Sequence, residues 1–418
     1  MFYPQFKIDP KIQNAVAEVM KKIAPRLQEI DEITEYNQQK MMAAFHEAGV
    51  SESHFVSSTG YGYGDRGRDA LDMVYAKALG AEDALVRHNF VSGTHALTVA
   101  LFGVLRPGDT MLSVTGIPYD TLRGVIGITG DSTGSLKEFG IHYKEVQLKS
   151  DGTPDYQAIE QAIEPNQKMV YIQRSRGYSL RPSLLIEDIE KIAAIAKKKA
   201  PDCIVMVDNC YGEFVQTEEP TSRGADLMAG SLIKNPGGGI APTGGYIAGR
   251  KELVESCAYR LTTPGTGREI GATLGNNREL FLGAFHAPHV TGEALKTAVF
   301  TAGLMNHFGY DVTPAWNEPR ADIIQAVLLE KEEALIAFCQ GIQQGAPVDS
   351  FVVPEPWDMP GYDCQVIMAA GAFTLGASIE LSADAPLREP YAAWMQGGLN
   401  FHSGKLGAML AAQSMLEK

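Results

Sequence analysis

Short apolar runs alternate with amphipathic segments along residues 83 to 210. The runs DALVRHNFV, KMVYIQ and CIVMVDN predict buried strands, and segments such as IEDIEKIAAIAKKKA predict the helices between them. In SGTHALTVALFGVLRPGD, apolar residues recur at helical spacing until Pro107 and Gly108 end the helix. This alternation allows few architectures, so the sequence predicts an α/β domain with a mainly parallel sheet.

The two ends of the chain follow other patterns. Residues 11–47 predict a long helical arm, and a glycine-rich loop, STGYGYGDRGRD, leads into a further helix around Leu71. Towards the C-terminus we expect a long helix over RADIIQAVLLEKEEALIAFCQGI, strands over CQVIMAA and FTLGASIEL, and a final helix near GKLGAMLAAQSM. The predicted domains are an N-terminal helical arm at 1–60, a large α/β domain at 61–310 and a small α+β domain at 311–418.

Composition excludes several classes of protein. A chain of 418 residues with 45% apolar residues suits a globular protein of two or three domains. The net charge of -14 disfavours general binding to nucleic acids or anionic membranes, because their phosphates would be repelled. No apolar run approaches the ~20 residues that span a bilayer. The N-terminus lacks a signal-peptide pattern, and the five scattered cysteines have no zinc-ligand spacing. We therefore expect a cytoplasmic protein without a metal site.

Three motifs stand at predicted strand ends, where open α/β sheets bind ligands. Ser92, Gly93 and Thr94 precede a helix whose N-terminus suits a phosphate, although Ser-Gly-Thr is also an ordinary helix cap. Asp208 closes the run CIVMV, and its carboxylate serves either a turn or a protonated ring nitrogen. Lys234, in GSLIKNPGGGIAPTGGYIAG, is either a solvated turn lysine or a desolvated nucleophile.

Neighbouring residues add to this set. The three glycines after Lys234 would leave room for a flat cofactor, and Ser231 would add a hydroxyl to a phosphate site. Tyr119, in TGIPYDTLRG, is either a packed turn residue or an aromatic side chain against a cofactor ring. A phosphate loop, an aromatic residue, an aspartate and a lysine, in that order, are what pyridoxal phosphate requires.

This order resembles that of the fold-type I pyridoxal-phosphate enzymes. Within them, the chain resembles the methionine gamma-lyase-like or aluminium-resistance family of the cysteine/methionine metabolism group. The resemblance covers most of the chain and implies the aspartate aminotransferase fold, with a mainly parallel seven-stranded sheet and a smaller C-terminal α+β domain. The motifs that carry it are GYGYGDRGRD, VSGTHAL, GIPYDTLRGVIG, QRSRGYSLRPSL, VDNCYGEF, SLIKNPGGGIAPTGGYIAG, PVDSFVVPEPWDMPGY, GASIELSADAPLREPY and QGGL.

The resemblance also implies a role for each matching residue. Lys234 is expected to be the Schiff-base lysine, Asp208 the partner of the pyridine nitrogen, and Tyr119 the residue that stacks on the ring. The phosphate is expected to bind Ser92, Gly93, Thr94 and Ser231.

A neighbouring subunit is expected to complete the phosphate site. Tyr63 and Arg66 are the expected residues, with Tyr61 and Arg68 as alternatives. This arrangement implies a homo-oligomer with an intersubunit active site, a tetramer of two catalytic dimers.

Two departures from the family pattern concern spacing and substrate binding. Tyr63 and Arg66 are three positions apart, whereas the better-known lyases place the equivalent pair two apart. Those lyases bind the substrate carboxylate through an Arg-Leu-Ser motif, where this chain has Glu380-Leu381-Ser382. The candidates to bind the carboxylate here are Arg388, Arg176 and Arg174.

The function implied is elimination of a thiol from a sulfur-containing amino acid, of the cystathionine beta-lyase or methionine gamma-lyase type. Lys234 and Tyr119 are the expected catalytic residues, acting on a small-molecule substrate. The alternatives are a gamma-replacement enzyme or aminotransferase on the same fold, or a cofactor-binding protein with a regulatory or metal-tolerance role.

Overall fold

The computed structural model describes residues 3–359 and 364–416. The chain forms two compact units: residues 36–288 make the large unit, and the residues up to 35 together with those from 289 onwards make the small unit. Both divisions fall inside long helices, whereas the predicted boundaries lie at 60 and 310. The predicted three-domain division stays a prediction, since compactness alone does not test which segments fold independently.

The large unit contains a seven-stranded sheet in the order β1-β7-β6-β5-β4-β2-β3. All of its strands run in one direction except β7, which is antiparallel to β1 and β6. This confirms the predicted mainly parallel sheet. The strands are β1 (Asp83–Arg87), β2 (Thr110–Ser113), β3 (His142–Glu145), β4 (Met169–Gln173), β5 (Ile204–Asp208), β6 (Leu227–Ser231) and β7 (Gly245–Gly249).

Helices cover both faces of this sheet. The helices of the chain are α1 (Pro10–Glu47), α2 (Arg66–Ala78), α3 (Gly93–Val104), α4 (Asp120–Ile126), α5 (Tyr156–Ala162), α6 (Ile186–Lys199), α7 (Lys251–Leu261), α8 (Asn277–His307), α9 (Glu332–Gln344) and α10 (Phe401–Leu416). Apolar residues of α2, α5 and α6 pack on one face, and those of α3, α4 and α7 on the other. Strands β5 and β6 are buried on both faces, and their sequences are therefore nearly continuous apolar runs.

Local sequence sets the starts of these helices. Asp65 accepts a hydrogen bond from the Arg68 amide at the start of α2, and Ser92 accepts one from the His95 amide at the start of α3. The helix α6 has acidic residues in its first turn and Lys197, Lys198 and Lys199 in its last, which complements the helix dipole. The starts of these helices thus follow from local sequence patterns.

The small unit contains a five-stranded antiparallel sheet in the order β10-β11-β12-β9-β8. Helix α9 packs against α10 and against this sheet. The strands are β8 (Asp311–Thr313), β9 (Gln325–Leu328), β10 (Val366–Ala369), β11 (Ser382–Pro386) and β12 (Ala392–Gln396).

Two predicted elements of the small unit are wrong. The helix expected over residues 320–342 begins only at Glu332, because the apolar run before it pairs with β12 and β8 as strand β9. The strand expected over residues 373–381 does not form. There the buried carboxylate of Glu380 accepts hydrogen bonds from the amides of Phe373 and Thr374, which holds this segment as a loop.

Candidate active site

The carboxyl ends of β4, β5 and β6 lie side by side in the large unit. Gln173 at the end of β4 is in register with Asp208 at the end of β5, and Asp208 is in register with Ala229 of β6. Ser231 ends β6, and Lys234 follows it three residues later. The predicted strand-end residues are therefore brought to one edge of the sheet, where parallel α/β sheets bind ligands.

Asp208 is buried, with only 7% of its surface exposed. Its Oδ1 accepts a hydrogen bond from the Cys210 amide at 3.1 Å, and its Oδ2 lies 3.5 Å from the Tyr171 hydroxyl. Burial raises the pKa of Asp208, while the opposite charge of Lys234 and the bond from Cys210 oppose that rise. Its carboxylate is thus held by few donors in a dry site, which suits a cationic N–H partner.

Lys234 faces the same site. Its Nζ lies 4.1 Å from the centroid of the Tyr211 ring, a cation–π contact. Burial by itself would lower the pKa of Lys234, but the acidic groups that face the amine outweigh burial, and its pKa is raised. Those groups are Cys210, Tyr211, Asp208 and Tyr119. The amine is therefore a cation until a covalent partner removes its charge.

The backbone at Tyr211 is unusual. Its φ is 70°, in the left-handed region, which costs a side chain about 1–2 kcal/mol. Such strained residues are common at functional sites. Here the strain brings the ring of Tyr211 against the lysine amine.

A cradle for an anion lies between β6 and the N-terminus of α3. The Oγ of Ser231 is buried and has no hydrogen-bond partner among the described residues. A Cβ at Gly93 would lie 3.3 Å from both the Cys210 Sγ and the Ser231 Cβ, a tight contact, so glycine favours the close approach of the first turn of α3 to β6. An unpaired buried hydroxyl beside the free amides of a helix N-terminus fits a phosphate.

The other residues expected in the phosphate site have additional contacts. Ser92 caps α3 through its Oγ, which is its ordinary structural role. The Oγ1 atoms of Thr94 and Thr121 are 2.6 Å apart, which joins the starts of α3 and α4. The predicted cradle residues are therefore brought together, and their role in binding stays a prediction.

Tyr119 lies directly before α4 and is half-buried. Its amide donates to the Oε1 of Gln173 at 2.7 Å, and its ring centroid is 6.0 Å from that of Tyr178. Gln173 in turn ends the strand next to β5. The hydrogen bond to Gln173 therefore positions Tyr119 near the sheet edge at which Asp208 lies.

Arg174 and Arg176 are both buried, but their surroundings differ. The Nη1 of Arg174 donates to the Oδ1 of Asn209 and to the carbonyl of Gly212, each at 2.8 Å, and lies 3.6 Å from the Glu219 carboxylate. Arg174 therefore supports the turn after Asp208. The amide and the Nε of Arg176 donate to the Oγ of Ser183 in its own loop, and Arg176 stays a candidate for the substrate carboxylate.

The residues predicted to act in a neighbouring subunit are exposed in the single chain. Tyr63 is 66% exposed, Tyr61 packs beside it with ring centroids 5.7 Å apart, and Arg66 is also exposed. Arg68 is buried and donates to the carbonyls of Gly62 and Gly271. Arg68 thus holds the loop that presents Tyr61, Tyr63 and Arg66 to solvent.

Arg388 belongs to the small unit, in the turn between β11 and β12, with an exposed side chain. Glu380, where the better-known lyases place the arginine of their Arg-Leu-Ser motif, is the buried acid that binds the amides of Phe373 and Thr374. The last part of the motif PVDSFVVPEPWDMPGY, residues 360–362, lies outside the described residues.

Sequence reasoning missed Gln173, Cys210 and Tyr211. Gln173 is the last residue of a predicted strand, and the other two follow Asp208 directly. The rule that strand ends form the site would have included them.

The interpretation of the glycines after Lys234 is wrong for Gly237 and Gly238. A Cβ at Gly237 would overlap the carbonyl of Leu232, and one at Gly238 would lie 2.4 Å from the carbonyl of Gly283 in α8. These glycines allow backbone to pack against backbone and do not leave room for a cofactor.

We expect Gly238→Ala to destabilise the protein by more than the cost of its left-handed backbone. Gly49 is a matched control, because it has the same φ of 58° and nothing within 4 Å of an added Cβ. Gly49→Ala should cost about 1–2 kcal/mol from backbone strain alone. Gly238→Ala should cost a further ~1–3 kcal/mol from overpacking. Urea unfolding measures both, and equal losses would contradict the packing role.

The comparisons with known proteins identify the family. The model of the family described as methionine gamma-lyase matches residues 12–416. The chain belongs to the methionine gamma-lyase family. This confirms the family predicted from the motifs and the expectation of an enzyme of the carbon–sulfur lyase class.

Some relatives match nearly the whole chain, and others match about half of it. The uncharacterized protein YnbB of Bacillus subtilis is 50% identical over 408 residues, covering 97% of each chain. A crystal structure of a "carbon-sulfur lyase involved in aluminum resistance" from Clostridium novyi NT has a TM-score of 0.94 and 53% identity, and covers 98% of this chain and 96% of that one. The L-methionine gamma-lyase of Treponema denticola is 25% identical over 52% of this chain and 50% of its own length.

More distant structures support the fold alone. The pyridoxal-5'-phosphate dependent protein YhfS of Escherichia coli has a TM-score of 0.63 at 16% identity, covering 93% of this chain and 97% of that one. The predicted fold type I is thereby confirmed. Within the described residues, no helix has both the length and the apolar character to cross a membrane. The predicted cytoplasmic location stays a prediction.

Proposed function

We propose that the protein is a pyridoxal-phosphate-dependent lyase that eliminates a thiol from a sulfur-containing amino acid. The observation that carries the proposal is the meeting of Lys234 and Asp208 at one sheet edge, beside a cradle in which the Ser231 hydroxyl has no partner. The names of the relatives, carbon-sulfur lyase and L-methionine gamma-lyase, support the class of substrate.

The residues of the site fit this cofactor. The phosphate would bind the Ser231 hydroxyl and the amides of Gly93 and Thr94, with Ser92 holding the helix turn that presents them. Asp208 would hold the protonated ring nitrogen, and Tyr119 would pack on the ring. When bound, pyridoxal phosphate supplies an aldehyde for the lysine amine and a ring that accepts the electron pair of the substrate's α-carbon.

The chain's own groups then move the protons. Lys234, as a free amine, would take the α-proton of the substrate, and general acid–base catalysis of this kind contributes ~10²–10⁴-fold in rate. Asp208 keeps its charge opposite the ring nitrogen. The carbon–sulfur bond breaks, and Tyr119 or Tyr63 protonates the departing thiolate. Hydrolysis releases a 2-oxo acid and ammonia. Arg176 and Arg388 are the proposed partners of the substrate carboxylate.

Replacing Lys234 tests the covalent site. Lys234→Ala should remove the visible absorbance of a lysine-bound aldehyde and abolish turnover, because it removes the amine that faces Asp208. The control is Lys251→Ala, which changes an exposed lysine at the start of α7. Full turnover in Lys234→Ala would refute the proposed role.

Two serine variants test the phosphate cradle. Ser231→Ala should leave the cofactor-free protein as stable as the native one or up to ~1 kcal/mol more stable, because it removes a buried unpaired hydroxyl. Ser92→Ala should cost about 1 kcal/mol in the same protein, since it removes the α3 cap. Both should weaken pyridoxal phosphate binding. A loss of stability in Ser231→Ala equal to that in Ser92→Ala would argue against a free hydroxyl.

A panel of cystathionine, methionine, homocysteine and cysteine separates the candidate reactions. A lyase releases ammonia, a 2-oxo acid and a thiol from at least one of them. Consumption of an added thiol without ammonia indicates gamma-replacement, and dependence on an added oxo acid indicates an aminotransferase. A normal cofactor spectrum with no turnover favours the regulatory or metal-tolerance role.

We also propose that the active site is shared between subunits of a homo-oligomer, a tetramer of two catalytic dimers. Tyr63 and Arg66 are exposed in the single chain, and the adjoining Tyr61 and Leu274 leave further apolar surface exposed there. Mixing inactive Lys234→Ala with an inactive Tyr63→Ala/Arg66→Ala double variant should restore activity, because hybrid dimers contain one intact site. Failure to restore activity in hybrids shown to have formed would contradict the shared site.

A further inference from the structure

A buried acid in the large unit has no role in the chemistry proposed above. Glu213 is fully buried, five residues after Asp208 in sequence, and its Oε1 accepts a hydrogen bond from the Tyr246 hydroxyl at 2.7 Å. A Cβ at Gly230 would lie 2.5 Å from that oxygen, so the carboxyl group lies directly against β6. Its Oε2 is buried and has no hydrogen-bond partner among the described residues.

A second unpaired oxygen belongs to the residue that follows Lys234. Asn235 is fully buried, and its Nδ2 donates to the Glu213 carbonyl at 3.0 Å, while its Oδ1 has no partner among the described residues. Two buried acceptors without a donor would each cost about 1–3 kcal/mol. A proton on Oε2 would turn Glu213 from an acceptor into a donor, and Asn235, which already binds the Glu213 backbone, carries a buried acceptor that lacks one.

Charge balance also favours a proton there. Among the described residues, no ion pair includes Glu213, whereas Glu219 lies 3.6 Å from Arg174 and also accepts from the amide of Phe214. The ionisable groups that face Glu213 from other segments are Tyr75, Tyr246, Cys210, Glu219 and Lys234. Lys234 is the cation among them, and it also faces Asp208.

Burial is the largest influence on the proton affinity of Glu213 and raises its pKa to about 8. The Tyr246 hydrogen bond and the charge of Lys234 oppose that rise, and Glu219 adds to it. Glu219 and Glu213 belong to one cluster but have different partners. Glu219 has the cation Arg174, whereas Glu213 has the hydroxyl of Tyr246.

We propose that Glu213 is a neutral carboxylic acid that donates from Oε2 to the Oδ1 of Asn235 and thereby positions the turn that carries Lys234. The positioning of Lys234 for catalysis rests on the proposed function, whereas the protonation of Glu213 does not. Glu213 is a positioning residue. Because it is neutral, the charge of Lys234 is determined by Asp208 and the cofactor.

A neutral Glu213 makes the stability of the folded protein depend on pH in one direction. An unfolded Glu has a pKa of about 4.3, so the unfolded chain loses this proton well before the folded one. The contribution to stability is complete below pH ~4.3 and is lost as the pH rises towards about 8. Glu213→Gln carries no such proton and keeps both a donor and an acceptor.

The first experiment compares Glu213→Gln with Glu219→Gln in the cofactor-free protein. Both variants make the same chemical change in one cluster. Between pH 5 and 7.5, the thermal midpoint of the native protein should fall relative to that of Glu213→Gln. Glu219→Gln should be destabilised at both pH values, because Arg174 loses its buried counterion. If Glu213→Gln loses as much stability as Glu219→Gln at pH 5, the acid is ionised and the proposal is overturned.

Infrared difference spectra read the proton directly. The native protein minus Glu213→Gln should contain the carbonyl stretch of a protonated carboxylic acid at pH 6, and native minus Glu219→Gln should contain a carboxylate band instead. A carboxylate band for Glu213 would overturn the proposal whether or not the protein binds pyridoxal phosphate.

The cofactor-loaded protein tests the positioning of Lys234. Glu213→Gln should keep the visible absorbance of the lysine-bound aldehyde and most of kcat. Glu213→Ala should shift the pH at which that absorbance changes and lower kcat by up to about 100-fold, because the lysine turn moves. An unchanged spectrum and kcat in Glu213→Ala would overturn the positioning role. Absence of the absorbance in the native protein would refute the proposed function and leave the infrared result standing.

Discussion

The candidate active site depends on a buried carboxylate, that of Asp208, and a buried amine, that of Lys234. Asp208 and Lys234 reach the site from neighbouring strands, and desolvation disfavours the charge on each. Their attraction offsets part of that cost, but the hydrogen bonds to Asp208 come from neutral groups of Cys210 and Tyr171, and Lys234 lies against an aromatic ring. Such a pair is poorly satisfied by the protein alone. A ligand with a cationic ring and an aldehyde would complete both partners.

The turn after β5 keeps that pair in place. It contains two non-glycine residues in the left-handed region, Tyr211 and Phe214, which the surrounding structure must hold. Arg174 binds the turn at Asn209 and Gly212, and Asn37 of α1 donates to the Phe214 carbonyl. The buried ion pair of Arg174 with Glu219 therefore acts on the site through the backbone. Arg174, which the sequence analysis expected near the cofactor, thus contacts the turn after β5.

The sequence predicted the sheet and its functional edge because both follow from local patterns. Buried parallel strands are continuous apolar runs, and Ser92, Asp208 and Ser231 stand where those runs stop. Other features depend on contacts between segments that no local pattern contains. The apolar run at 325–328 fits a helix as well as a strand, and only its pairing with β12 decides. In the sequence, Gly238 suggests room for a cofactor, yet it is required by the close approach of the Gly283 carbonyl, 45 positions away in the chain.

Three buried acids, Asp208, Glu213 and Glu219, lie within twelve residues of sequence, and each has a different environment. Glu219 has Arg174 and Asp208 faces Lys234, whereas Glu213 accepts a hydrogen bond from the Tyr246 hydroxyl and forms no ion pair among the described residues. If all three were ionised, they would compete for two cations in a site of low dielectric. A proton on the acid without a cation removes that competition. The charge of Lys234 then depends on Asp208 and on the bound ligand, which is the condition a nucleophilic amine needs in order to change its charge during a reaction.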